Sequence, residues 1–590
     1  MFWPLASLTI IAPRKTDLIA NMIRTLLHNA SSELMRMSLL GLISGICASL
    51  VIVLFRFVIE ASQGQLLPNY NPENYEALPL MWIFLFPLLG GVILGVIFHF
   101  IPEENRKMGV VHTLECLQNY NGKLPLINTI AQFVGASISI IAGHSVGREG
   151  PSIHLGASTG SLLAQKLNLS DEARHTLLAC GVAAAIAASF NTPIAGVIFS
   201  LELIIMEYRV NSLMPIIIAA LVATIISRAI FGNSAILDAP NLGSLPHDEL
   251  FLVIITGILI GLISVIFIRL LVLVSEKSKP IPVFIRLTLA GAITGLLALL
   301  APQIMGIGYD TVADSFQNNI ALGTLLLICV VKILATTLGL GLGLPGGLIG
   351  PTLFIGAITG STIAAIIQLI APESVSSPAI YAMIGMGAMM GATLQAPLAA
   401  LMAIFELTVN TDIILPGLLC IVAASLTSSE LLRQPSVFNA LMRTNKDPEN
   451  SYNPIESLTI RDLSRQINKK FSFIIEKSPT SELAKAIKRG NQWLLIDQGD
   501  KSFRVIHRDD IQNIDLTQSS FIDLSDPSLI NRFFQPIEIT ENLETALTRL
   551  DENSTLEGFY VTQSKPGKED KLIGILSRED VSNYVTSKGK

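Results

Sequence analysis

The sequence predicts an all-α polytopic membrane domain of tilted and re-entrant helices in two related halves, followed by a soluble α/β domain. Three observations carry this. The 590-residue chain is 51% hydrophobic and only 15% charged, the composition of a polytopic membrane protein. Two glycine- and proline-broken segments recur 200 residues apart (347 − 147). After about Arg443 the composition turns polar.

Apolar stretches recur near 36–58, 79–101, 124–142, 176–206, 212–231, 249–274, 284–305, 322–344, 352–371, 379–405 and 412–428. Several reach the ~20 residues of a spanning helix. Others are shorter or interrupted, which predicts half-spans among the spans. We divide the chain into an N-terminal segment (1–34), a membrane domain (35–443; halves about 35–230 and 250–430) and a tail (444–590). The five cysteines are scattered and form no CxxC pair, so they read as small buried hydrophobes rather than disulfides or metal ligands. The N-terminal apolar run is followed, not preceded, by its charges, and we read no signal peptide there.

The repeat is the most informative feature. "GREGPSIHLGASTGSLLA" (147–164) aligns without a gap on "GLIGPTLFIGAITGSTIA" (347–364). "GVAAAIAASFNTPIAGVIFSLEL" (181–203) aligns on "GMGAMMGATLQAPLAALMAIFEL" (385–407), pairing Pro193 with Pro397 and Glu202 with Glu406. Repeated halves with broken segments at matching positions are the sequence sign of a transporter, and they place its substrate site where the broken helices meet.

In each Gly-x-x-Gly-Pro element, glycine permits a tight turn and proline suits a first helical turn. The helix then starts inside the membrane, with free N–H groups and a positive dipole end. Two such ends facing each other form an anion site without a lysine. Glu149 lies just before Pro151, at one of these ends. It reads as a gate that competes with the permeant anion and leaves when protonated. The competing reading is a carboxylate that caps the helix permanently, paired with Arg148. The gate is preferred, because intramembrane ionisable residues are usually functional. Glu202 and Glu406 read equally as structural hydrogen-bonding groups or as transport groups. His144 and His154 read as packing residues, and Lys332 as snorkelling or locally paired.

The combination of "GREGP" (147–151), "GLPGGLIGP" (343–351) and "NTPIAGVIFSLE" (191–202) resembles the CLC family of chloride channels and chloride/proton exchangers. The resemblance covers about residues 35–445. It implies an inverted repeat, a homodimer with a separate pore per subunit, and Glu149 as the external gate. It further implies that backbone amides near Arg148, Glu149, Gly150, Leu348, Ile349 and Gly350 hold chloride or related anions. There are departures. The family's first anion motif reads Gly-Ser-Gly-Ile-Pro, whereas "KMGVVHTLE" (107–115) puts Met108 at the serine. Phe438 stands where a coordinating tyrosine is common. Ile349 replaces a phenylalanine. A fluoride-selective branch shares the methionine. Leu203 occupies the position of the inner glutamate of typical exchangers, leaving Glu202 and Glu207 as proton-path candidates. From Leu203 and Phe438 we expect channel-like anion transport, with chloride/proton antiport as the alternative and fluoride selectivity behind both.

The tail resembles a pair of CBS repeats. Residues 541–585 read helix, strand, strand, helix and end in "GILSREDV". There Ser577 and Asp580 have the spacing that some CBS modules use for a nucleotide ribose. The first repeat offers His507 and Asp510. A structural or dimerising tail is preferred over one that binds ATP or another adenine nucleotide, and no other cofactor is expected. The chain contains no HExxH, no paired intramembrane aspartates and no nucleophile–base pair, so neither an enzyme nor a metal site is expected. It also lacks a basic stripe with aromatics, so no nucleic-acid partner is expected. The expected setting is the bacterial inner membrane, with the tail in the cytoplasm.

Overall fold

The computed structural model describes residues 32–445 except 207–209, 234–236, 238–244, 247–248, 318–319, 372–374 and 376, together with separate segments between 460 and 588. The chain divides into two compact units at Asn445/Lys446, two residues beyond the boundary read from composition. Most of the proposed N-terminal segment, and Glu207, lie outside the described residues.

The first half of the membrane unit contains α1 (Glu33–Leu66), α2 (Leu80–Phe100), α3 (Gly109–Asn119), α4 (Leu126–Ile141), α5 (Glu149–Leu167), α6 (Asp171–Phe190), α7 (Pro193–Phe199) and α8 (Val210–Phe231). The second half contains α9 (Leu250–Ser278), α10 (Val283–Leu300), α11 (Tyr309–Phe316), α12 (Leu322–Gly341), α13 (Ile349–Ile370), α14 (Pro378–Leu394), α15 (Pro397–Thr408) and α16 (Ile414–Leu426). The halves correspond helix for helix, in order. A last helix, α17 (Val437–Asn445), follows. Among the described residues nine helices are long and apolar enough to cross a membrane.

Two apolar stretches that read as continuous are broken. The run 176–206 divides at Asn191 and the run 379–405 at Gln395, both in the left-handed region (φ 61° and 57°). Two residues later Pro193 and Pro397 restart the chain as α7 and α15. Asparagine tolerates the left-handed region better than most side chains, and proline begins a helix without needing a donor. Pairs of small residues let helices touch. A methyl group on Gly91 of α2 would meet the Leu287 carbonyl of α10, and one on Gly291 would meet the Pro87 carbonyl. In lipid, where water does not drive helices together, such close approach supplies the packing energy.

The tail unit contains β1 (Phe471–Ile474), β2 (Lys477–Pro479), β3 (Trp493–Asp497), β4 (Phe503–His507), β5 (Phe521–Asp523), β6 (Phe533–Glu538), α18 (Leu543–Glu552), β7 (Leu556–Lys565), β8 (Lys568–Ser577) and α19 (Arg578–Lys588). Strand β1 runs parallel to β3, and β3 antiparallel to β4; β6, β7 and β8 repeat this arrangement. Trp493, Leu495, Val505, Phe534, Tyr560 and Ile575 form a core shared by the two sheets. The predicted order helix, strand, strand, helix is α18–β7–β8–α19; strand β6, which precedes it, was not anticipated.

Candidate functional site

The site forms where α5 and α13 begin. Just before those helices, Gly147 N donates to Gly347 O at 2.7 Å and Gly347 N to Gly147 O at 2.8 Å, an antiparallel bridge between the halves. This reciprocal pair is what a two-fold axis between the halves requires. A Cβ at Gly347 would sit 2.5 Å from Gly150 N, so only glycine permits the crossing. The bridge fixes the two helix starts side by side, with their unpaired N–H groups at one place.

Glu149 is 1% exposed. Its Oε2 accepts from Gly350 N at 3.0 Å, and its Oε1 accepts from Tyr309 Oη at 3.1 Å. The carboxylate therefore reaches across the bridge onto a free donor at the start of α13. Arg148 turns away from it. Its Nη1 pairs with Glu60 at 3.3 Å, and Glu60 also accepts from Arg56 at 3.1 Å. Glu149 thus caps the start of α13 without a hydrogen bond to Arg148.

Two cavities flank this point. The larger, about 290 Å3, is lined by Met108, Gly150, Leu348, Ile349 and Phe438, with Arg106 and Lys107 also on its wall. It brings together five of the sequence-predicted anion residues, while Gly350 faces Glu149 instead. The smaller, about 30 Å3, holds little more than one water. Apart from Glu149 and Thr192 its wall is apolar, with Ile186, Phe190, Phe199, Ala403 and Leu407 among the lining residues.

Residues 90–429 match the family described as voltage gated chloride channel. The chain belongs to this CLC family. A ClcB-like chloride channel protein of Ralstonia nicotianae is 30% identical over 63% of this chain and 88% of its own length. The H(+)/Cl(-) exchange transporter ClcA of Vibrio campbellii is 28% identical over 70% of this chain and 90% of its own. A solved structure of a slow cyanobacterial Cl−/H+ antiporter superposes with a TM-score of 0.60 at 27% identity, covering 69% of this chain and 96% of that one. The membrane unit is accordingly a CLC anion-transport domain.

Against this CLC frame the other candidates separate. Glu202 accepts from Leu398 N (3.2 Å) and Ala399 N (2.8 Å), the start of α15. Glu406 accepts from Ile194 N (3.0 Å) and Ala195 N (2.7 Å), the start of α7. Each thus caps the other half's helix. Lys332 does not snorkel. It is fully buried and donates to the carbonyls of Ile304 (2.9 Å), Gly306 (3.0 Å) and Ile307 (3.4 Å), with Phe354 beneath it. His154 meets His112 at 3.1 Å between α5 and α3. In the tail, Asp580 accepts from Ser577 N at 3.0 Å and Ser577 Oγ at 2.6 Å, capping α19. Asp510 accepts from His507 N at 3.3 Å and pairs with Arg532 at 2.8 Å. Sequence reasoning missed Tyr309 and Glu60. Tyr309 opens α11, whose counterpart α3 opens with Gly109, so the repeat gave it no matching residue.

Proposed function

We propose that the protein exchanges chloride or similar small anions for protons, with Glu149 taking part in both movements. The observation that carries this is the 3.0 Å bond between Glu149 Oε2 and Gly350 N. The carboxylate occupies a helix-start donor of the kind that suits an anion. An anion and the charged side chain then compete for one place, and protonation releases the place to the anion. Hydrogen bonds to charged groups are worth about 1.5–3 kcal/mol, so a permeant anion can replace the carboxylate at comparable free energy. The amides around Gly150, Leu348 and Ile349 would hold the anion beside the larger cavity, with Met108 and Phe438 as apolar wall.

Leu203 and Phe438 led to a channel-like expectation. The relatives favour exchange: the ClcA protein and the cyanobacterial antiporter both carry a proton in their names. With both oxygens of Glu202 on the start of α15, water between the cytoplasm and Glu149 would replace an inner carboxylate. The proposal extends to a homodimer in the bacterial inner membrane with a cytoplasmic CBS-like tail. A nucleotide at Ser577 and Asp580 would have to break the cap that they form with each other.

The test is reconstitution into liposomes with a chloride gradient and a pH-sensing dye. Uphill proton movement at a fixed chloride-to-proton ratio is expected. Anion flux without proton movement would restore the channel, and flux with fluoride but not chloride would move the protein to the fluoride class.

A further inference from the structure

Met108 begins α3 without offering a side-chain cap. The free N–H of Gly109 is instead taken by Gln132 Oε1 of α4, at 2.6 Å. A backbone N–H only donates, so the atom facing it is the amide oxygen, and the other end of the side chain is Nε2. Gln132 is 0% exposed, and its Nε2 has no hydrogen-bond partner. Gln132 lines the larger cavity together with Met108, Gly109 and Phe438. Buried polar groups are almost always paired, so an orphaned amide donor just beneath the surface of a cavity-lining residue calls for an acceptor.

The repeat shows why this donor is free. Gln132 corresponds to Lys332 at the same offset of 200 residues (332 − 132) that relates Gly147 to Gly347. In the second half Lys332 spends its donors on the carbonyls of Ile304, Gly306 and Ile307, the turn before α11. In the first half the corresponding turn precedes α3, and Asn128 Nδ2 serves it, donating to Glu104 O at 3.1 Å and Lys107 O at 3.0 Å. Asn128 and Gln132 are four residues apart on α4 and share a face. One amide ties down the turn. The other holds the helix start through its oxygen and keeps its nitrogen in reserve.

We propose that Gln132 Nε2 is a side-chain ligand of the transported anion, supplying the donor that methionine at 108 and phenylalanine at 438 do not. The Gly109 bond gives the amide a fixed sign. It cannot flip to present its oxygen without leaving the half-buried Gly109 N–H unpaired, so what it has left to give is a donor only. This rests on the anion-exchange reading above.

Chloride binding to the purified full-length protein, by titration calorimetry, tests it. All variants are made in the Glu149→Gln background so that the gate does not titrate. Loss of one hydrogen bond to an anion weakens binding by about tenfold or more, the result expected for Gln132→Met. Gln132→Glu retains an oxygen for Gly109 N–H but replaces the donor with a charge. It should not bind chloride at pH 7.5, and binding should return on acidification, as the protonated carboxyl offers a donor. A purely structural role predicts the reverse order, with the glutamate variant close to the parent. Parent-like affinity in either variant at pH 7.5 overturns the assignment. If Gln132→Met does not purify as a single species, Gln132→Glu decides alone. A parent protein that binds no chloride overturns the anion-site reading itself, a result distinct from failure of the Gln132 assignment.

Discussion

Tyr309 Oη donates to Glu149 Oε1 at 3.1 Å across the interface of the two halves. The Tyr309 hydroxyl and the Gly350 N–H thus both hold the carboxylate. Tyr309→Phe removes the hydroxyl and leaves the ring. A hydrogen bond to a charged group contributes about 1.5–3 kcal/mol, so release of the side chain becomes easier. Anion flux at neutral pH should rise about tenfold in liposomes if release limits it. Unchanged flux would show that Tyr309 is only part of the wall.

Glu149→Gln keeps the shape of the side chain and removes the titration. The amide no longer brings a negative charge to the start of α13, so anion flux should stay high and lose its dependence on pH. Proton movement should cease. Flux that still falls as pH rises would place the pH-sensing group elsewhere.

The two-halved architecture was legible because small residues must recur wherever backbones touch. Gly147, Gly150, Pro151, Gly156 and Gly160 each have an identical mate in the second half. Glu149 was legible because a carboxylate among glycines at membrane depth has few structural uses. The roles of Glu202 and Glu406 were not. Sequence shows that they are mates, but only the crossing of α7 and α15 shows that each caps the other. Tyr309 and Gln132 escaped because their mates, Gly109 and Lys332, differ in type. The repeat preserves backbone geometry where helices cross and lets side chains diverge where the halves do different work. Leu203 is weak ground for a channel-like expectation, because a missing carboxylate says nothing about water.

The reciprocal caps predict a stability effect without a transport effect. In Glu202→Ala two N–H groups at the start of α15 lose a charged acceptor, and in Glu406→Ala the same happens to α7. Loss of a helix cap costs about 0.5–2 kcal/mol. Each variant should unfold a few degrees lower in detergent, followed by intrinsic fluorescence. Glu202→Gln should keep the wild-type chloride-to-proton ratio. A loss of proton coupling in that variant would return Glu202 to the proton path.

In the tail, Arg532 makes two bonds to Asp510, at 2.8 and 3.1 Å. The guanidinium holds the Asp510 carboxyl below the usual range. A depressed carboxyl contributes stability that is present above its unfolded value, about 3.9, and is lost as pH falls through the lower folded value. Protection of β4 and β6 against pulsed hydrogen exchange should therefore hold at pH 6 and drop below about pH 4. Arg532→Ala should lose part of it already at pH 6. Equal protection in variant and wild type at every pH would leave the pair without weight.

Gly147 and Gly347 are mates in the bridge, yet alanine should act differently at each. At Gly147 the severe clash of the added methyl is with Glu149 Oε2, the far end of a flexible side chain, and its nearest backbone neighbour, Gly350 N, is 3.1 Å away. That side chain can swing away, so Gly147→Ala should expel the carboxylate and leave the bridge standing. At Gly347 the methyl meets only backbone: Gly150 N at 2.5 Å, Gly147 O at 3.0 Å and Gly150 Cα at 3.1 Å. Nothing there can move without parting the two helix starts, and overpacking of this kind costs about 1–3 kcal/mol. Gly147→Ala should therefore behave like Glu149→Gln, with anion flux that ignores pH. Gly347→Ala should lose both flux and thermal stability. Flux measured from pH 5 to 8, with melting curves for both variants, separates the cases. Equal behaviour of the two would mean that the carboxylate is not the group that yields.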